Sequence, residues 1–294
     1  MSDITIDKSE ETLNRMKTAE SVFLPISRET FEKLYLSPKH PSVVGDLRKK
    51  FGNPTPICLM GFLLAATPNA CILMGWRGAG GNGGAILWVL FLSQFSVWIS
   101  DLIDSRCRPV YIFFGGIVQL LGGIGEWIIG NTFSCALFFT YGTFWLVQGA
   151  TLMPFFATGT NYSPTGNSLE GQQTESYAAS VAFYYVFLAL LTFIYLICSI
   201  RTNICLFTAL FLLVITFALT AGSFFQLANG EAELAHRLQV AGGAFNLALC
   251  FPIWHIFLTQ ILEAVDFPIV LPVGDLSTVI PGRSQKVKRG SSGE

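Results

Sequence analysis

The chain has 294 residues, of which 52% are apolar and only 13% charged, and its mean hydropathy is +0.54, whereas soluble domains carry about 25% charged residues. Of its 18 basic and 19 acidic residues, 17 fall within the first 50 positions, and no Lys or Arg occurs from Pro109 to Ile200. Such a stretch cannot make a water-soluble surface, which all but excludes a soluble enzyme, a nucleic-acid binder and a disulfide-stapled secreted module; the net charge of −1 only averages a charged tail with a neutral body.

Residues 1–52 are polar, mixed in charge and poor in large apolar side chains, the composition of a disordered tail. The first apolar run opens only near Pro54, behind Arg48, Lys49 and Lys50, so no cleaved signal peptide is predicted. From there, runs near the roughly 20 residues that span a bilayer recur. They cover 54–76, 85–103, 109–129, 133–153, 177–200, 205–227 and 238–262. The second run differs from the rest, being interrupted by Ser93, Gln94 and Ser96 and closing on Asp101 and Asp104.

Cytoplasmic loops hold the excess of Lys and Arg, which gives a count. With the amino terminus inside and 85–108 not crossing, 14 of the 18 basic residues lie inside; if that segment crosses, the number falls to 12. The chain therefore reads as an all-α, polytopic membrane bundle of six core transmembrane helices plus the extra apolar segment at 85–108. A transport domain over 53–265 lies between the cytosolic tail 1–52 and a cytosolic carboxyl-terminal tail 266–294, with both termini inside. The loop 157–176 falls outside and holds the glycosylation sequon Asn161-Tyr162-Ser163, whose use Pro164 disfavours.

Few polar groups interrupt the spans. Asn53 and Pro54 suit the N-cap and first position of a helix. Pro68 falls mid-span, where a proline kinks or breaks a helix. Gln119 and Glu126, seven apart, share one face; Glu126 is either a structural cap near Asn131 or a proton-coupling group. Gly115 and Gly116 recur seven residues later as Gly122 and Gly123, a spacing for ordinary close helix packing or for an oligomer seam. The seven cysteines form no CxxC or Cys/His cluster and read as packing residues. His236 falls in an outer loop and His255 in the last span. Gly78–Gly83 matches GxGxxG, but it follows a membrane-length helix rather than a strand, so the dinucleotide reading fails. No metal set, cofactor motif or nucleophile–base pair is present, and the chain is not read as an enzyme.

Several segments carry a resemblance: NPTPICLMGF (53–62), MGWRGAGGNG (74–83), FFGGIVQLLGGIGEWIIGNTF (113–133), TYGTFWL (140–146), SIRTN (199–203) and DFPIVLPVGDLST (266–278). Together they resemble the acetate uptake transporter family, the succinate–acetate permeases and fungal acetate/ammonium transporters. Cys58 stands where glycine is usual, and 85–108 looks like an insertion between the glycine loop and the next helix. The resemblance implies six helices per protomer, a homohexamer with one pore in each protomer, both termini in the cytosol and a plasma-membrane location.

Carried over by motif, the resemblance puts a hydrophobic gate at Phe62, Tyr141 and Leu213, with Asn53, Pro54, Gly61, Gln119 and Glu126 on the opening motif or substrate path. The expected cargo is acetate or a similar short monocarboxylic acid moving with a proton, with the tyrosine hydroxyl as local donor at the gate. A naked charge at the bilayer centre costs at least about 2.5–3.5 kcal/mol, and no basic side chain offsets it. Two alternatives remain: ammonium or ammonia export through the same fold, and a membrane sensor that transports nothing.

Overall fold

The computed structural model describes residues 51–79 and 109–276. The segment 85–108, most of the amino-terminal tail and the basic stretch near the carboxyl end lie outside the described residues. The long helices are α1 (Thr55–Leu73), α2 (Tyr111–Ile128) and α3 (Thr132–Thr151), followed after the short α4 (Ser168–Gln172) by α5 (Glu175–Ser199), α6 (Ile204–Ala228) and α7 (Ala232–Ala264). No strand runs through the described residues, and this is a helical membrane bundle. Five of the helices, α1, α2, α5, α6 and α7, are long and apolar enough to cross a bilayer. The 20-residue α3 is long enough too, but it mixes Ser, Thr, Tyr, Gln and Gly with its apolar residues.

Local chemistry sets the helix ends. The Asn53 carboxamide oxygen accepts from the Thr55 backbone N–H at 3.1 Å, one residue ahead of the observed cap at Pro54. Thr174 and Asn203 cap α5 and α6 by accepting from Tyr177 N–H and Leu206 N–H, as short polar side chains do at helix starts. Gly130 and Gly230 take the left-handed backbone of the two-residue-scale turns after α2 and α6, with φ of 82° and 80°.

One expectation about the helices is narrowed and another corrected. Pro68 does not break α1, which continues to Leu73; its neighbours act as bracing acceptors, Thr67 from the Trp254 indole at 3.2 Å and Asn69 from the Tyr111 hydroxyl at 2.9 Å. And α7 starts at Ala232, so His236 is helical rather than in a loop. The sequence Ala-Glu-Leu-Ala-His-Arg is helix-favouring, and Glu233 pairs with Arg237 one turn on. At 33 residues, α7 is about 50 Å long and outreaches a bilayer core.

The six long helices close into a ring. α2 packs between α1 and α3, α1 against α7, α7 against α6, and α6 against α5. Hydrogen bonds close the gap between α3 and α5: Tyr141 to Thr192, Thr140 with Tyr195, and Tyr185 to Gln148. The glycines face inward partners rather than outward. A methyl on Gly115 would meet Trp145 and Ala65, one on Gly116 would meet Leu146, and one on Gly122 would sit 2.4 Å from Cys58 Sγ. Outside the ring, Phe113, Leu121 and Trp127 on α2, Phe187 and Leu190 on α5, and Phe251 on α7 are all exposed, a surface for lipid or for other apolar helices.

The loop between the halves is ordered. The Glu170 carboxylate accepts from Ser163 and Thr165, whose hydroxyls hold its carboxyl below the usual range; the sequon's own Ser163 is thereby engaged. At the opposite end, the folded unit runs beyond 266. Residues 266–276 return across the α5–α6 turn as a strap: Ile204 N–H donates to Gly274 O at 2.8 Å and Leu276 N–H to Thr202 O at 3.0 Å. Within the strap Val273 is buried, and His255 reaches Pro272 O at 2.9 Å.

Candidate functional site

Two cavities lie inside the ring, of about 80 Å³ and about 40 Å³. Phe62, Tyr141 and Leu213 line both, and no other described residue does. α1, α3 and α6 contribute one side chain each, all at least nine-tenths buried. The Phe62 and Tyr141 rings lie 6.5 Å apart between centroids at 60°, and Phe217 stacks on Tyr141 at 6.5 Å and 29°.

Tyr141 is held from behind. Its hydroxyl donates to Thr192 Oγ1 at 3.1 Å, and Thr192 in turn donates to the Leu188 carbonyl at 2.8 Å. The phenol proton is therefore committed to α5, which differs from the expectation of a donor free for cargo. The bond fixes the ring across the space between the cavities.

The cavities differ in chemistry. The larger opens towards the end where α6 meets α7; its wall is mainly aromatic and aliphatic, with amides and hydroxyls set into it, among them Asn69, Gln148, Gln239, Asn246, Thr216 and Ser223. The smaller, towards the strap, is walled by leucines, Phe138 and Ile253, with Gln119 its polar member besides Tyr141. Neither is lined by a charged residue. Gln119 is 1% exposed, and its carbonyl oxygen has no donor among the described residues.

The other sequence-selected positions form the seam beside the cavities. A methyl on Gly61 would come 2.6 Å from the Phe114 carbonyl oxygen, so this glycine lets α1 and α2 touch backbone to backbone and seats Phe62 next to it. Pro54 packs against Gly125. Glu126 is fully buried. Its carboxylate accepts from the Thr55 hydroxyl and the Asn131 amide, so it ties the start of α1 to the α2–α3 turn and lines neither cavity. The first eight residues of α2, Tyr111–Val118, wind as a π-helix, a wider turn often found beside functional sites. Sequence reasoning missed Asn69, Trp145 and Gln148 as cavity-lining residues. An amide recurring inside an otherwise apolar span was the signal available.

Similarity to known proteins follows the same region of the chain. The family model for the GPR1/FUN34/yaaH family matches residues 107–278. Protein alcS of Aspergillus fumigatus is 35% identical over 270 residues, 91% of each chain. Acetate permease A of Emericella nidulans is 25% identical, covering 94% of this chain and 81% of that one. Ammonia transport outward protein 2 of Saccharomyces cerevisiae is 28% identical, covering 70% and 60%. Among solved structures, that of the bacterial acetate channel SatP aligns with a TM-score of 0.54 and 22% identity, over 76% of this chain and 99% of that one, a likeness of fold.

Proposed function

The chain belongs to the GPR1/FUN34/yaaH family, and from that premise we propose that it carries acetate and similar short monocarboxylic acids across a membrane, each with a proton, through a gate made by Phe62, Tyr141 and Leu213. The observation that supports this most is the meeting, at those three side chains, of a cavity with amides and hydroxyls set in a mainly aromatic wall and a wholly apolar one. A permeant must pass the ring that both cavities share, and a ring of two aromatics and a leucine admits only a small body.

The chemistry on each side favours an acid that sheds its charge. In the larger cavity, the amides and hydroxyls of the wall replace part of the water around a carboxylate, which lowers the cost of desolvating it. In the apolar chamber no cation or exposed polar group offsets a negative charge, so an acid crosses it at least cost once protonated. Cation export would gain from carboxylates on the path. None lines either cavity, and Glu126 is engaged by Thr55 and Asn131, so the acid is favoured over ammonium. Six crossings with both termini cytosolic complete the reading, with the outward apolar faces covered by lipid and by neighbouring copies in a plasma-membrane hexamer.

Purified protein in liposomes loaded with a pH dye tests this. Labelled acetate is expected to enter faster than in protein-free vesicles, with the lumen acidifying in step and an imposed voltage alone driving nothing. Voltage-driven acetate flux overturns the proton pairing. Absence of acetate flux beside ammonia-driven alkalinisation points to the exporter, and inert vesicles point to the sensor.

A further inference from the structure

The ring is not closed alike all round. Where α1, α2 and α3 meet, and where α7 meets α1, glycines let the helices interlock: Gly61 lies against the Phe114 carbonyl, Gly149 against Ile112 and Gly243 against Leu73. The seam between α3 and α5 has no such contact among the described residues. Both glycines of α3, Gly142 and Gly149, face α2 through Leu120 and Ile112, and α5 contains no glycine.

Long side chains cross this seam instead. Tyr141 donates to Thr192 Oγ1 at 3.1 Å, Tyr185 donates to Gln148 Oε1 at 3.2 Å, and Thr140 and Tyr195 share a hydrogen bond of 3.0 Å. The first two bonds lie two turns apart along one face of each helix, an antiparallel register. Ring contacts of Phe144 with Tyr185 and of Tyr141 with Tyr195, at 6.2 and 6.4 Å, accompany them. A bond between hydroxyls is worth little net, because either partner can exchange it for water. The larger cavity borders the seam through Phe144, Gln148 and Tyr185. A seam held this way parts more easily than one in which backbones interlock.

The gate straddles the two halves that the seam divides. Phe62 and Tyr141 belong to α1 and α3, Leu213 and Phe217 to α6. The halves stay joined along α1 and α7, where Asn246 donates to the Ala66 carbonyl at 3.3 Å. Parting α3 from α5 therefore draws Tyr141 away from Leu213, with the α1–α7 interface as the hinge.

We propose that the gate opens along the α3–α5 seam and that Thr192, the acceptor for Tyr141, is the positioning residue that latches it. The latch rests on the transport reading above and adds to it the edge at which the passage widens. Thr192 is fully buried and lines neither cavity, so it acts on cargo only through Tyr141. With the threonine hydroxyl in place, the tyrosine ring stays packed against Phe62 and Phe217. Without it, the phenol O–H has no acceptor at the seam and turns to the amides and hydroxyls of the larger cavity.

The test compares Thr192→Val, which keeps the shape and removes the hydroxyl, with Thr192→Ser, which restores it. In proteoliposomes Thr192→Val is expected to raise lactate uptake relative to acetate about fivefold, the weight of one net hydrogen bond. Thr192→Ser is expected to return the ratio to that of the wild type. A second measurement stands apart from flux: in a Leu213→Cys background, peptide mass reads how fast a small water-soluble methanethiosulfonate labels position 213 in detergent. Thr192→Val should quicken that labelling about fivefold and Thr192→Ser should not, while native Cys58, buried where α1 meets α2, keeps its rate. Tyr195→Phe retains the ring contacts to Phe133 and Tyr141 and is expected to move both readings the same way; it decides the matter if Thr192→Val does not fold. An unchanged ratio with unchanged labelling overturns the latch. So does labelling that quickens at Cys58 as much as at position 213, the mark of a bundle loosened throughout. Faster labelling confined to position 213 and rescued by serine, in a protein that moves no acetate, keeps the latch and removes the transport reading.

Discussion

In the gate proposed above, Leu213 of α6 joins two aromatics and acts by bulk alone. Leu213→Ala therefore widens the passage without removing a polar partner. One methylene in an apolar pocket is worth about 1–3 kcal/mol of discrimination, so the preference for acetate over lactate is expected to fall about tenfold or more, read as the ratio of labelled uptake in a transporter-deficient yeast. An unchanged ratio would remove Leu213 from the gate. Phe62 and Tyr141 were legible from their motifs, but the direction of the tyrosine hydroxyl was not, because its acceptor Thr192 lies 51 positions away on another helix. Glu126 illustrates the same limit. A lone acid in an apolar span reads as a cap or as a proton carrier, and the Thr55 and Asn131 contacts that support the cap cannot be read from the span itself.

At the scale of the helix, α1 and α2 meet through paired small and larger residues. Gly122 leaves the space that Cys58 Sγ fills, and Gly61 lets backbone touch backbone. Gly122→Ala should therefore cost about 1–3 kcal/mol of stability by overpacking, seen as a lowered unfolding temperature in detergent. Cys58→Gly is expected to restore part of that loss, since it empties the site the new methyl needs. Equal destabilisation with and without Cys58→Gly would show that the two do not share that space. The glycine spacing was visible in the sequence, whereas its partners were not: packing within the protomer and packing between copies predict the same heptad of glycines. Helix existence was far easier to read, since each of the six spans begins and ends within a few residues of its apolar run, except for α7, whose amphipathic first turns carry charge like a loop.

At the scale of the whole molecule, the described residues form a ring of helices braced at one end by the strap 266–276. Gly274 has a φ of 73°, and an added Cβ would lie 2.4 Å from Ile204, so Gly274→Val should free the strap. Amide exchange at Ile204 and Leu276, the two donors that pair strap and turn, is expected to quicken while exchange within the helices is unchanged; retained protection would show that the strap holds by other contacts. Composition and run length determined from the sequence alone that this chain lies in a membrane as a helical bundle, because apolar surface of bilayer length has no other stable surroundings. Ring closure, the cavity on each side of Phe62, Tyr141 and Leu213, and the hydrogen bonds between α3 and α5 were decided only in three dimensions. They depend on which side chains meet across helices far apart in sequence, and the hydrophobic drive that writes the spans does not distinguish one inward face from another.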